Sequence, residues 1–573
     1  MATKEQIDAV WTNGTWLGVA PRPCLVDYSG LIVRRSISAA LVGQPGYRPI
    51  ALLFAAVLFL SVLLVPIPAG LSATLDAATP PGYGMTESGA DTFADSVNHD
   101  DNPQSFQSRQ PHRDSAKTPE RSDSRDKLAR QALIMVGILL VAAVLWGTEG
   151  LPIGGTVTLV AVLLVAFGVL SPNEMAKAFL NDSVFFILGL LAVTVGVSKT
   201  GLDKRIGLLL LSRINNVGSF AAVFLPVLAI SSAFLSAHAL VALLVPVIMG
   251  IYKASCISNG IEKDRNLAIF LFLGVSFAAN IGGPGSPAAG ARNAVMMGFL
   301  TDAGFPISFW EWMRYGLPLV PVWALTVGAY MYVRCKPKLL VKKMNPSEVV
   351  KREVAKLPRF GGQEAVMATI LGGLIVGWIT LQESLGMGGV TLTALCAMFL
   401  LKIVSWEDIQ GGVAFDVVGL YAAASAIAVG LSITGGGLWL ANEAVAKLPG
   451  FMSEGDGLVM GVSVMTTILT NFMSDGATVG VLGPLTLPMA ELGNVSIWKL
   501  GLAVSFASSL ANVLVVGTPN NAIVFAMSKD PDTGERLLSV FDFIKYGLPL
   551  TIMLLVIMWG WALFGYWMIL PWP

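Results

Sequence analysis

Charge is scarce in this chain. Of 573 residues only 13% are charged, 54% are hydrophobic, and the mean hydropathy is +0.69. A soluble protein of this length carries about a quarter charged residues, so a water-soluble globular protein is excluded. The 37 basic and 37 acidic residues cancel, and no basic patch interleaved with aromatics occurs, which argues against a nucleic-acid partner. Cysteine is scarce too. Cys24, Cys256, Cys335 and Cys396 stand far apart without CxxC or Cys/His spacing, so neither a disulfide frame nor a metal site is implied. Histidine occurs three times: His99 and His112 in a polar stretch, and His238 inside an apolar one. Without HExxH or a nucleophile elbow, hydrolase chemistry has only the loose set Ser236, His238 and Asp475. Ser236 and His238 lie two apart on one turn, where a serine and its base seldom align. The reading is a membrane protein that is not an enzyme and needs no cofactor.

What the chain has in plenty is apolar runs long enough to cross a bilayer. The first, 49–71, follows Arg34, Arg35 and Arg48, which places a 1–48 segment on the cytoplasmic side. Residues 72–131 turn polar, rich in Ser, Asp, Pro, Gln and Arg, and read as a disordered loop. Runs at 132–147, 152–170 and 183–199 read as spans. Leu202 to Ile214 is shorter and amphipathic, and reads as a surface segment. The run 218–252 has a polar turn in its middle, as a re-entrant hairpin would. The next, 266–300, is broken at Gly282-Gly-Pro-Gly-Ser-Pro287, and a span at 315–333 follows. The basic stretch within 334–363 predicts a cytoplasmic linker.

The second half, 364–573, repeats the first, 132–333. Glu149/Glu383, Gly154/Gly388, Ser171/Ser405, Asp182/Asp416 and Thr200/Thr434 all keep one spacing of 234 positions, as from Glu149 to Glu383. The polar turn Ser236-Ala-His238 returns as Ser474-Asp-Gly476, Val275-Ser-Phe-Ala278 as Val504-Ser-Phe-Ala507, and Asn293-Ala294 as Asn521-Ala522. Each half thus holds one hairpin (218–252; 451–491) and one broken helix (266–300; 497–527). An odd number of crossings per half sets the halves antiparallel. The predicted fold is an all-α polytopic membrane protein of about 11 transmembrane helices in two inverted repeats.

With its paired hairpin turns, Gly282-Gly-Pro-Gly-Ser286 with Asn293, and Gly517-Thr-Pro-Asn-Asn-Ala-Ile523, the chain resembles the divalent anion/sodium symporter (DASS) family. The resemblance runs from about residue 50 to the end, apart from 72–131. It implies a plasma-membrane homodimer whose transport domain moves as an elevator against a scaffold. It implies sodium held by Ser236, Gly285, Ser286, Ser474 and Thr518. It also implies a small anion, a di- or tricarboxylate or sulfate, at the positions of Ser236, Ala237, His238, Ser474, Asp475, Gly476, Asn293, Pro519 and Asn521, and the charge of Arg292 beside Asn293 adds it to that set. The family's Ser-Asn-Thr triplets are replaced here by Ser236-Ala237-His238 and Ser474-Asp475-Gly476. Both asparagines and both threonines are gone.

Those departures open alternatives to sodium symport: sodium-independent anion exchange, or proton coupling through His238 and Asp475. His238 could supply the positive or donor group in place of sodium, giving an exchanger, or could be a packed core histidine. Asp475 could pair with His238, bind a cation, carry a proton, or cap the helix that follows. Arg292 could bind an anion or snorkel to the interface.

Overall fold

A backbone in hydrocarbon has to satisfy its own N–H and C=O groups, so long apolar runs fold as helices. The structure is a computed structural model. It describes residues 48–68, 70–72, 75, 119–211, 216–341, 344, 355, 360–530 and 533–573. Within these residues helices dominate, and the only extended pairing is a single bridge between Lys529 and Arg536. Among the described residues, eight helices are long and apolar enough to cross a membrane, and five more are apolar but shorter. The protein is therefore a multi-pass membrane protein. The polar stretch expected to end at 131 ends earlier, because a helix runs from Pro119 to Thr148. Proline suits the first turn of a helix, and the Glu, Arg and Lys residues after it are good helix formers. Residues 1–47, most of 72–118 (with His99 and His112) and much of the basic linker lie outside the described residues.

The helix order of the first half returns in the second. The first hairpin is Val217–Ser232 and Ala237–Ser258. The first broken helix is Arg265–Asn280 and Ala291–Asp302. Their counterparts are a hairpin of Gly455–Phe472 and Asp475–Leu492, and a broken helix of Ile497–Ala507 and Pro519–Met527. Local chemistry repeats as well. Ser171 and Ser405 each cap a short helix through a capping box with Glu174 or Asp408, as Ser308 and Ser539 do with Glu311 and Asp542. Gly201 and Gly435 each end a helix in the left-handed region, at φ 76° and 70°. A side chain added at Gly201 meets nothing within 4 Å. Gly201→Ala is therefore expected to cost about 1 kcal/mol from backbone strain alone, read as a lower unfolding midpoint of the detergent-purified protein.

The halves clasp each other reciprocally. Asp182 accepts from the backbone N–H groups of Met387 (3.0 Å) and Gly388 (3.1 Å). Its counterpart Asp416 accepts from the N–H of Gly154 (3.2 Å), the counterpart of Gly388. When residue i of one half meets j of the other and the reverse also holds, a local two-fold relates them. That is the arrangement of two inverted repeats.

Candidate functional site

Each hairpin turns at a serine that caps the arm leaving it. Ser236 Oγ accepts from Ala239 N–H at 3.3 Å, and Ser474 Oγ accepts from Ala477 N–H at 3.2 Å. The second halves of the broken helices begin at Ala291 and at Pro519, whose fixed φ suits a first helical residue. Four helix N-termini thus start at the tips and breaks, and the contacts between them pass from one repeat to the other.

The tip of the first hairpin reaches the second break. His238 Nδ1 donates to Asn520 Oδ1 at 2.7 Å, and Asn520 Nδ2 donates to Asn280 Oδ1 at 2.9 Å. The tip of the second hairpin reaches the first break, where the Asp475 carboxylate pairs with Arg292 Nη1. Arg292 and Asn520 are counterparts, since Asn293-Ala294 returns as Asn521-Ala522. The two clasps therefore join equivalent tips and breaks, one charged and one built from an imidazole and an amide, although His238 stands one residue beyond Ala237, the counterpart of Asp475. Asp475 does not pair with His238, as one sequence reading had it, because the two-fold crosses each tip to the opposite break. Nor does Asp475 cap its helix; Ser474 does, while Asp475 Oδ1 accepts from the Gly476 N–H at 2.8 Å. Arg292 does not snorkel: its side chain is 8% exposed.

Behind the clasps, asparagines lock the breaks. Asn293 Nδ2 donates to the Gly283 and Ser286 carbonyls, both at 2.7 Å, and its Oδ1 accepts from Ser505 at 2.7 Å. Asn521 Nδ2 donates to the Ala511 (2.7 Å) and Leu514 (2.9 Å) carbonyls. Its Oδ1 accepts from Ser276 (2.7 Å) and Asn280 (3.1 Å). Ser276 and Ser505 occupy the same place in the two Val-Ser-Phe-Ala repeats, so this lock too is reciprocal. The hairpins are tied to the breaks beside them. Ser286 Oγ donates to the Ala233 carbonyl and accepts from Ala288 N–H. Thr470 Oγ1 donates to the Ser508 carbonyl at 2.8 Å, and Asn471 Oδ1 accepts from Val513 N–H at 2.8 Å.

Of the residues expected to hold the anion, Asp475 and Arg292 form one cross-repeat clasp, His238 and Asn521 belong to a second through Asn520 and Asn280, and Asn293 bonds across to Ser505. Ser236, Ala237, Ser474, Gly476 and Pro519 form their backbone turns. For sodium the available donors are hydroxyls and carbonyls, the hard oxygen ligands such an ion takes. Gly285 and Ser286 lie at the first break, and Thr518 lies buried at the second. The hydroxyls of Ser236, Ser286 and Ser474 each accept from a backbone N–H group and keep a lone pair free to accept or ligate. Asn280, Asn520, Asn471, Ser276 and Ser505 were not expected. The returning Val-Ser-Phe-Ala motif was the one signal that marked the two serines. A cavity of about 110 Å³ lies behind Ser236, among Leu190, Val193, Phe234, Leu371 and Trp378. Its walls are too apolar to hold an anion.

Two inverted repeats, each with a hairpin tip that clasps the helix break of the other through polar side chains, define a secondary transporter. The comparisons with known proteins agree and give the family. Residues 124–572 match the family described as "Sodium:sulfate symporter transmembrane region", and the chain belongs to it. An uncharacterized transporter of Haemophilus influenzae is 27% identical over 440 residues, covering 75% of this chain and 90% of that protein. The sodium-dependent dicarboxylate transporter SdcS of Staphylococcus saprophyticus is 26% identical over 436 residues, covering 70% and 82%. A sodium-dependent high-affinity dicarboxylate transporter of Caenorhabditis elegans is 26% identical over 473 residues, covering 73% and 80%.

Proposed function

We propose that this protein moves a small dianion, a di- or tricarboxylate or a sulfate-like oxyanion, across the plasma membrane by cation-coupled symport, with sodium as the first candidate cation. The observation that carries this reading is that each hairpin tip meets the helix N-terminus at the break of the other repeat, with the charged Arg292 at one of these two clasps. Helix N-termini present free N–H groups and positive partial charge, and a guanidinium adds a full charge with fork geometry for an oxyanion. In this reading the anion lies between Ser236-Ala237-His238 and Ser474-Asp475-Gly476. Asn293, Pro519 and Asn521 hold the breaks on either side. The oxygens of Ser236, Gly285, Ser286, Ser474 and Thr518 take the co-transported sodium. The two-fold gives the site equivalent walls toward both membrane faces, which suits alternating access by an elevator-like movement of hairpins and broken helices against the remaining helices. A homodimer with a cytoplasmic N-terminus completes the proposal.

A second reading, sodium-independent exchange or proton coupling, is favoured by one observation. The position that is Ala237 in the first tip is Asp475 in the second, and the Asp475 partner is an arginine. The test is uptake of labelled succinate, citrate and sulfate into proteoliposomes under a sodium gradient, a proton gradient, or internal substrate alone. Uptake of at least one anion driven by sodium is the expected result. Uptake that follows internal substrate alone and is lost in His238→Ala would replace symport by exchange. No uptake of any anion would remove the transport assignment for these substrates.

A further inference from the structure

Resting on the anion-transport reading, we propose that Asp475 is the coupling residue of this carrier. Its carboxylate occupies Arg292 when no substrate is bound. The transported anion displaces it, and the released carboxylate takes one monovalent cation.

Three observations carry this. The first is how Arg292 is enclosed. Its side chain is 8% exposed, and Nε is buried without a partner. The guanidinium lies against Gly283, where a Cβ would collide with both Arg292 Nη2 and Ser509 Oγ. The nitrogen turned toward the tip is Nη1, and Asp475 holds it. An anion that uses this arginine from the tip side has to take the place of the carboxylate.

The second is a difference in freedom between the partners. Arg292 sits on a broken helix locked by Asn293. Asp475 is the first residue of its hairpin arm, is more exposed at 18%, and is followed by Gly476, where an added Cβ would meet nothing within 4 Å outside its own helix. The arginine is fixed and the aspartate is on the side that can withdraw.

The third is charge. The chain brings one positive and one negative group to this clasp, where the other clasp has none fixed. Helices packed against the Asp475 arm bring other charges, but those are engaged elsewhere. Lys499 pairs with Asp456, Asp416 holds the Gly154 N–H, and Asp302 accepts from Tyr421 and Ser425. Among the described residues, Arg292 is the one charged group within ion-pairing distance of Asp475. His238, on the other tip, is held by Asn520. Once an anion takes the arginine, Asp475 is an unpaired carboxylate beside a second negative charge, and such a group does not stay buried and bare. A sodium ion or a proton restores neutrality. Linkage is then obligatory: the cation raises anion affinity by the factor by which the anion raises cation affinity.

The experiment measures succinate, citrate and sulfate binding to the purified full-length protein by calorimetry. Sodium is varied at fixed pH, and pH is varied without sodium. Cation-gradient uptake is measured in parallel for wild type and Asp475→Asn. Wild type is expected to bind anion more tightly as one cation rises, and which one it is identifies sodium or proton as the ion. Asp475→Asn is expected to bind about tenfold more tightly, the gain when a state closed about nine parts in ten is opened. Its binding should lose the dependence on the cation that Asp475 takes in wild type. It should equilibrate labelled anion without accumulating it. Weaker binding in Asp475→Asn, or accumulation that still follows the gradient, overturns the proposal while leaving transport intact. If the variant does not purify as folded protein, the wild-type titration decides alone. Anion affinity that is flat against both sodium and pH overturns the proposal. Wild type that binds and carries none of the three anions overturns the transport reading as well.

Discussion

Arg292→Gln is expected to abolish anion uptake, by a factor of a hundred or more, and to destabilise the folded protein. The two effects have different origins and can be separated. Gln keeps polarity but is shorter and removes the charge and the fork. A charge-assisted hydrogen bond contributes about 1.5–3 kcal/mol, and a factor of a hundred corresponds to about 2.7 kcal/mol, so losing one or two such contacts to the anion accounts for the transport defect. Stability falls because Asp475 is left without its counter-charge. Breaking a buried pair from one side costs about 3–5 kcal/mol, and the Asp475 side chain is 18% exposed, so the lower end applies. Arg292→Gln combined with Asp475→Asn removes both charges. That double variant should recover most of the stability and none of the transport. Arg292→Lys keeps the charge without the fork and should fall between. Proteoliposome uptake reads the first effect, and thermal unfolding in detergent reads the second. A double variant that transports would show that the arginine serves only to satisfy Asp475.

Much of this arrangement was legible in the sequence, for a physical reason. Polar and proline- or glycine-rich turns inside apolar runs are costly in a membrane, so Ser236-Ala-His238, Ser474-Asp-Gly476 and Gly282-Gly-Pro-Gly-Ser286 stand out. The spacing of 234 positions exposed the repeat, and the repeat gave the helix order. Partner choice was not legible. Register equates Ala237 with Asp475 and Arg292 with Asn520, but says nothing of which tip meets which break. A carboxylate and a histidine at facing tips suggested a pair. The two-fold instead crosses each tip to the break of the other half, joining Asp475 to Arg292 and His238 to Asn520. Asn280 and Asn471 were missed because a lone asparagine in an apolar helix has no pattern around it. Their meaning depends on carbonyls and amides that only the folded chain brings near. The start of the Pro119–Thr148 helix was missed because the same charged residues that suggest a solvated loop also suit a helix.

Asn521→Leu is expected to be the most damaging substitution for the fold, because of what it leaves behind. The side chain is fully buried and satisfies four groups: the Ala511 and Leu514 carbonyls, the Ser276 hydroxyl and the Asn280 amide. Leucine has the same branching, is somewhat larger, and bonds none of them. An unsatisfied buried group costs about 1–3 kcal/mol, so four of them suggest a loss of about 4 kcal/mol or more, reduced where the serine can turn to another acceptor. Asn293→Leu, at the two-fold mate, abandons three groups: the Gly283 and Ser286 carbonyls and the Ser505 hydroxyl. It should cost less. Asn512→Leu should cost least, because Asn512 Nδ2 has no partner and Oδ1 accepts only from Asn280. The three asparagines have the same size and all are fully buried at the breaks. Unfolding of the purified variants in guanidinium should therefore rank them 521, 293, 512. That order would show that bonding to the broken backbone, rather than side-chain volume, holds the two breaks in shape. Equal losses at all three would mean that packing alone does so, and the reciprocal asparagine locks would then lose their structural role.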